Sequence, residues 1–261
     1  MAFWWSFARK FADILIFIPY YFPIMKKLFL TFSLLCAVSL SAFAQSNKVV
    51  IETEYGKIVM MLYDNTPKHR DNMIKLANEH YYDSTLWHRV IPQFVIQGGD
   101  PASKHAAKGQ LLGDGEYGPR IPAEINDSDY HKRGAVGMAR DNNPDKMSSG
   151  CQFYIVTGKL WTDKELDMIE MRLGRKFSAT QRETYKTKGG TPHLDGGYTV
   201  FGEVIEGMDV VDKISNVARD HNDRPEQDIH MLSLRLMEDK SHSKNQKEKK
   251  TKKKHKFLGI F

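Results

Sequence analysis

Hydrophobic and polar positions along this chain change period several times, and each change predicts an element. "KVVIETEYGKIVMMLYD", from Lys48, sets β-branched residues on either side of a Tyr55-Gly56 turn and predicts a hairpin. The spacing then becomes helical. Thr66 stands at a capping position, Pro67 fits the first helical position, and Met73, Ile74, Leu76 and Ala77 make one apolar face. "WHRVIPQFVIQGGD" reads as strand, turn and strand, and "GAVGMAR", "CQFYIVTG" and "YTVFGEVIEG" continue the strand pattern. "MDVVDKISNV" predicts a second helix with Val210, Val211 and Ile214 inward, and "DIHMLSLRLME" alternates as a closing strand. Many strands with two well-separated helices argue for a mainly β, closed or sandwiched structure with capping helices, and against a parallel βαβ sheet.

A different pattern lies between Thr157 and His193. "TDKELDMIEMRLGRKFSATQRETYKTKGG" holds two capping boxes, Thr162 with Glu165 and Ser178 with Gln181, each opening a helical run, with a break at Gly174. It is read as a helical hairpin inserted at about 158–192 into a surface loop of the β-body, its charged residues forming solvated faces.

The two ends of the 261-residue chain depart from globular patterning. "MKKLFLTFSLLCAVSLSAFAQ", from Met25, has two lysines, an apolar run and small residues at Ala42 and Ala44, the layout of a signal peptide at 25–44 cleaved before Gln45. Residues 1–24 are aromatic and carry Arg9, Lys10, Asp13, Pro19 and Pro23, which fits no region upstream of a signal peptide. They are read as an over-extended gene start, the rival being a membrane anchor. The expected product is an exported, periplasmic or secreted protein of residues 45–239. Residues 240–261 are lysine-rich and cannot bury apolar area, so disorder is expected there, with contact to anionic surfaces as one use of the charge. The formal net charge of +6 sits at these ends: the tail from Lys240 to Lys256 contributes +8 and the start +3, leaving −5 for the body. Nucleic acid is therefore not an expected partner of the folded part.

Chemistry narrows the reading further. Of two cysteines, Cys36 lies in the signal peptide, which leaves Cys151 without a disulfide partner or an activating neighbour. No clustered His/Cys spacing suggests a metal. His88 is read as structural, and Gly98-Gly99 as a tight turn because no GxGxxG or GK[ST] follows. Arg89 stands out as a permanent charge inside an apolar run, with Gln97 two residues beyond Val95 on one strand face.

In that order, "WHRVIPQFVIQGGD", "GCQFYIV" and "HLDGGYTVFGEVIEGMDVVDKI" resemble the cyclophilin family of peptidyl-prolyl cis/trans isomerases, over roughly Lys48 to Glu238 apart from the hairpin. The resemblance implies an eight-stranded closed antiparallel β-barrel capped by two helices, acting as a monomer without metal or cofactor. It makes Arg89 the catalytic donor with Gln97 bracing it. Phe94, Val95, Tyr154 and Leu194 would enclose proline, and Gln152 with the backbone around Ala139 and Arg140 would hold the substrate main chain. Departures are Tyr154 for a usual phenylalanine, Tyr198 for a frequent histidine, and Arg140 where asparagine is common. His193 stands where cyclosporin-sensitive members carry tryptophan, so weak cyclosporin binding is expected. The implied substrates are X–Pro bonds in unfolded or flexible polypeptides, here exported proteins. The alternative is a proline-peptide-binding chaperone or adaptor with little turnover.

Overall fold

β1 (Lys48–Thr53) and β2 (Gly56–Leu62) form the opening hairpin, with Lys48 opposite Met61 and Thr53 opposite Gly56. Gly56 makes the turn possible: its φ is +130°, where a Cβ is strained, and a Cβ there would lie 2.9 Å from Val210 Cγ2. In this computed structural model residues 47–237 are described. The gene-start, signal-peptide and lysine-tail expectations fall outside the described residues.

Helix α1 (Pro67–Asn78) buries Met73, Ile74, Leu76 and Ala77 as its spacing predicts. Its cap differs from expectation. The Thr66 hydroxyl reaches back to the Tyr63 carbonyl at 3.4 Å and makes no side-chain cap. Glu124 replaces it, accepting from the backbone N–H groups of Lys68 and His69, both at 3.0 Å. A carboxylate satisfies two orphan donors at once and meets the positive end of the helix dipole.

The remaining strands are β3 (Thr85–Leu86), β4 (Arg89–Ile91), β5 (Val95–Gly98), β6 (Ala135–Met138), β7 (Phe153–Val156), β8 (Val200–Glu206) and β9 (His230–Leu236). All pair antiparallel in one sheet of order β3-β9-β1-β2-β8-β6-β7-β5-β4. The sheet thus has nine strands where eight were expected, because two-residue β3 adds a rung to β9. The edge strands β3 and β4 do not pair with each other. They are successive in the chain, joined by Trp87 and His88, so the sheet curls without closing by hydrogen bonds between its edges, where a closed barrel was expected. Two backbone bonds tie this stretch to the segment before β9, from Trp87 N–H to Ile229 O at 2.9 Å and from Val90 N–H to Asp223 O at 2.8 Å.

Period-two alternation sorts the strand residues between two cores. Val90, Ile96, Val136, Met138, Phe153 and Ile155 enter the main core. They share it with α1 and with Val210, Val211 and Ile214 of α4 (Met208–Ser215). Val95, Ala135, Ala139, Tyr154, Val156 and Val200 form a second cluster on the other face.

Between β7 and β8 both expected capping boxes form, opening α2 (Asp163–Leu173) and α3 (Ala179–Thr187), and Gly174 ends α2 at φ +65°. The hairpin is more than two solvated helices. Leu166, Ile169, Phe177 and Tyr185 form a core of their own against Tyr130, Trp161 and Leu173. Glu170 is buried, taking Lys176 at 2.7 Å, Arg182 at 3.0 Å and the Phe177 N–H at 3.0 Å.

Candidate active site

A row of register partners builds one wall of a pocket. Arg89 of β4 lies opposite Gln97 of β5, Gln97 opposite Tyr154 of β7, and Tyr154 opposite Gly137 of β6. With strands about 4.8 Å apart, the row carries Arg89 to within roughly 10 Å of Tyr154 on the same face. Gly137 is required: a Cβ there would overlap the Tyr154 ring. The strand ends and loops supply the rest, so that Arg89, Phe94, Val95, Gln97, Ala139, Arg140, Tyr154, Leu194 and Tyr198 line one pocket of about 180 Å³.

His193, next to Leu194 in the short helical turn Pro192–Leu194, stacks on Phe94 with ring centroids 5.5 Å apart and planes 18° apart. Burial and the neighbouring His131 lower its pKa from the ordinary histidine value. Trp161, which sequence reasoning did not single out, lies 6.1 Å from the His193 ring.

The Arg89 side chain is 40% exposed, and among the described residues no hydrogen bond uses its guanidinium. Its nearest charge is Asp223, with Nε 3.8 Å from Oδ2, too long for a hydrogen bond. Asp223 is itself held by Arg219 at 3.2 Å and by a left-handed backbone, φ +62°. The brace expected from Gln97 to Arg89 is not formed. Gln97 Nε2 donates instead to Gln152 Oε1 at 3.2 Å. Gln152 was expected to hold substrate, but it is buried, and its Nε2 is spent on the carbonyls of Gly113 (2.9 Å) and Gly115 (2.7 Å). That loop is fastened in turn by Asp100, whose Oδ2 accepts the Gly113 N–H at 2.5 Å. Gln152 therefore ties the strand face to a loop, a role invisible until the loop's position is known.

Two further expectations change. The Ala139 N–H donates to the Gln152 carbonyl at 2.9 Å, and its carbonyl accepts from Ser149 N–H at 2.8 Å, so that amide is not free for a substrate strand. The Arg140 guanidinium is engaged within the protein. Its Nε donates to Gly197 O at 2.7 Å and Nη1 to Asp141 O at 2.8 Å, with the group lying 4.8 Å from the Tyr198 ring centre. It roofs Tyr198, which meets Tyr154 edge-on at 6.0 Å. Burial raises the Tyr154 hydroxyl pKa well above the usual range, so it stays protonated, and it lies 2.8 Å from His131 Nε2. Cys151 is buried, and burial raises its thiol pKa too, which leaves it a poor nucleophile.

Chemically the arrangement is a small pocket with one apolar wall, from Phe94, Val95, Ala139 and Leu194, and a polar border that includes a guanidinium with no hydrogen bond among the described residues. Comparison with known proteins agrees with that description. The family described as cyclophilin type peptidyl-prolyl cis-trans isomerase/CLD matches residues 48–236. A Streptococcus pyogenes protein named as a bifunctional phosphatase/peptidyl-prolyl cis-trans isomerase is 35% identical over 73% of the chain, which spans 39% of that relative's length. A Staphylococcus aureus protein named as a peptidyl-prolyl cis-trans isomerase is 32% identical over 73% of this chain and 92% of its own. A Cryptosporidium parvum cyclophilin-type isomerase, whose crystal structure was determined in the presence of the dipeptide Ala-Pro, is similar with a TM-score of 0.55. It is 25% identical, over 74% of this chain and 99% of that one.

Proposed function

The chain belongs to the cyclophilin-type peptidyl-prolyl cis-trans isomerase family, and we propose that the pocket bounded by Arg89, Phe94 and Tyr154 is where it turns X–Pro bonds. The physical task sets the roles. Resonance makes the peptide bond planar and gives rotation a barrier of about 18–20 kcal/mol. Rotation pyramidalises the prolyl nitrogen and restores its lone pair, so a fixed donor aimed at that nitrogen stabilises the twisted state more than the planar one. Arg89 supplies a planar donor set that keeps its charge at any relevant pH. Phe94, Val95, Leu194 and Tyr154 grip the proline ring, which stays still while the preceding segment swings. No bond is made or broken, and no proton need move.

One observation carries this reading: a guanidinium with no hydrogen bond among the described residues, lining a pocket beside the apolar side chains of Phe94, Val95 and Leu194. A free donor over such a surface invites an acceptor from outside. The test is an NMR titration with a short Ala-Pro-containing peptide and its Ala-Ala counterpart. Shifts at Phe94, Val95, Tyr154 and Leu194 with the proline peptide alone support the assignment; shifts centred elsewhere overturn it.

The signal-peptide pattern at 25–44 supports a role on exported, folding proteins, where slow X–Pro exchange delays the native state. Mass spectrometry of the N-terminus from cells should find Gln45 first, and a mature chain beginning before Met25 would refute export by this signal.

A further inference from the structure

Tyr154 lines the pocket, and its hydroxyl begins a chain of hydrogen bonds that ends in the inserted hairpin. Asp195 is the junction. Its Oδ1 accepts from the His131 backbone N–H at 2.9 Å and from His131 Nδ1 at 2.7 Å, and its Oδ2 accepts from the Tyr185 hydroxyl at 2.5 Å. A carboxylate only accepts, so Nδ1 carries a proton. In a neutral imidazole that leaves Nε2 as the acceptor for the Tyr154 hydroxyl, 2.8 Å away. Each donor then meets an acceptor. Tyr154, His131, Asp195 and Tyr185 are 4, 1, 5 and 0% exposed, so water is not at hand to replace a missing partner.

Of these four groups Tyr185 alone belongs to the insert. It sits on α3, whose capping box at Ser178 and contacts with Leu166, Ile169 and Phe177 hold it in place. Its carbonyl accepts the Trp161 N–H at 3.1 Å, and Trp161 neighbours His193, which stacks on Phe94. The insert therefore reaches the pocket lining twice, once by hydrogen bonds under Tyr154 and once by ring contacts beside Phe94.

We propose that the inserted hairpin sets the plane of the Tyr154 ring through Tyr185, Asp195 and His131, which makes Tyr185 a positioning residue for proline recognition. The inference rests on the pocket assignment above. The Tyr154 ring lies within 14° of the His131 plane and edge-on to Tyr198, and the bond to its hydroxyl adds to the packing that sets this orientation. Because the ring grips proline in the planar and twisted states alike, a loosened ring weakens binding of both, raising KM more than it lowers kcat.

The experiment is a double-mutant cycle on the full chain, reading kcat, KM and peptide Kd for Tyr185→Phe, Tyr154→Phe and the double variant. Tyr185→Phe is expected to raise KM and Kd roughly threefold to tenfold with kcat within about twofold. In the Tyr154→Phe background, where no hydroxyl is left to hold, the same change should move KM by less than about 1.5-fold. An equal rise in both backgrounds means that Tyr185 only stabilises the hairpin, and overturns the inference while leaving the pocket assignment standing. A wild-type chain that does not bind the proline peptide at this pocket overturns both. Should Tyr185→Phe fail to fold, nitrogen NMR of the His131 ring in the wild-type protein decides: a protonated Nδ1 with Nε2 as acceptor supports the chain, and the opposite tautomer overturns it.

Discussion

His88 should make this fold sensitive to mild acid. The ring is 3% exposed, and among the described residues neither nitrogen has a hydrogen-bond partner of good geometry. Burial lowers its pKa from 6.5 to about 4, outweighing the pull of Asp100 toward the charged form, while Arg89 and Arg224 push the same way as burial. The sign follows from proton uptake. The unfolded chain takes up its proton first as pH falls, so stability drops between about 6.5 and about 4 and is unaffected above that window. At 1.36 kcal/mol per unit that window gives a total of about 3 kcal/mol, most of it already lost at pH 4.5. His69, also lowered chiefly by burial, and His193 act in the same direction, so the comparison must be differential. Urea unfolding of wild type and His88→Phe at pH 7.5 and pH 4.5 isolates the share of this ring. The variant is expected to lose about 2–3 kcal/mol less than wild type between the two conditions. Equal losses would mean that His88 titrates normally in the fold, and the desolvation reasoning fails.

Asp223→Asn keeps a side chain that tolerates the left-handed backbone but removes the charge beside Arg89. Because both partners are partly exposed, kcat/KM should change by no more than about fivefold, a difference that shrinks in 1 M salt; a loss of many hundredfold would make Asp223 part of the catalytic machinery. Glu124→Gln should cost about 1–2 kcal/mol at neutral pH through the lost cap of α1. The Glu124 pKa is lowered despite the upward pull of burial, chiefly by its bond to His69, so its contribution is present above the usual carboxylate range and fades as pH falls through its own lower value. Thermal unfolding at pH 7 and pH 3 checks both statements. Cyclosporin should inhibit weakly, and His193→Trp should tighten it by about tenfold or more in a competition assay; unchanged affinity would discard the role given to that position.

Much of this architecture was legible because period and capping are local. The two capping boxes, the α1 and α4 faces and the alternation that sends Phe153 to the core and Tyr154 to the pocket all depend on neighbours within four residues. Strand β3 was not legible, since two residues carry no alternation, and it accounts for the ninth strand. Several contacts that differ from expectation are long-range. Gln152 bonds to carbonyls in an irregular loop 37 and 39 residues away, and Glu124 caps α1 from 55 and 56 residues on. Tyr185 was readable as helical, but nothing in its surroundings along the chain shows that it meets Asp195.

Isomerisation of a short Ala-Pro peptide by wild type, Arg89→Ala and Arg89→Lys, with peptide binding followed in parallel, tests the central assignment. If the guanidinium stabilises the twisted bond, Arg89→Ala should lower kcat/KM by roughly 10²–10³-fold with Kd little changed, and lysine, a mobile point charge, should restore only a small part. Equal turnover by all three proteins would contradict transition-state donation by Arg89.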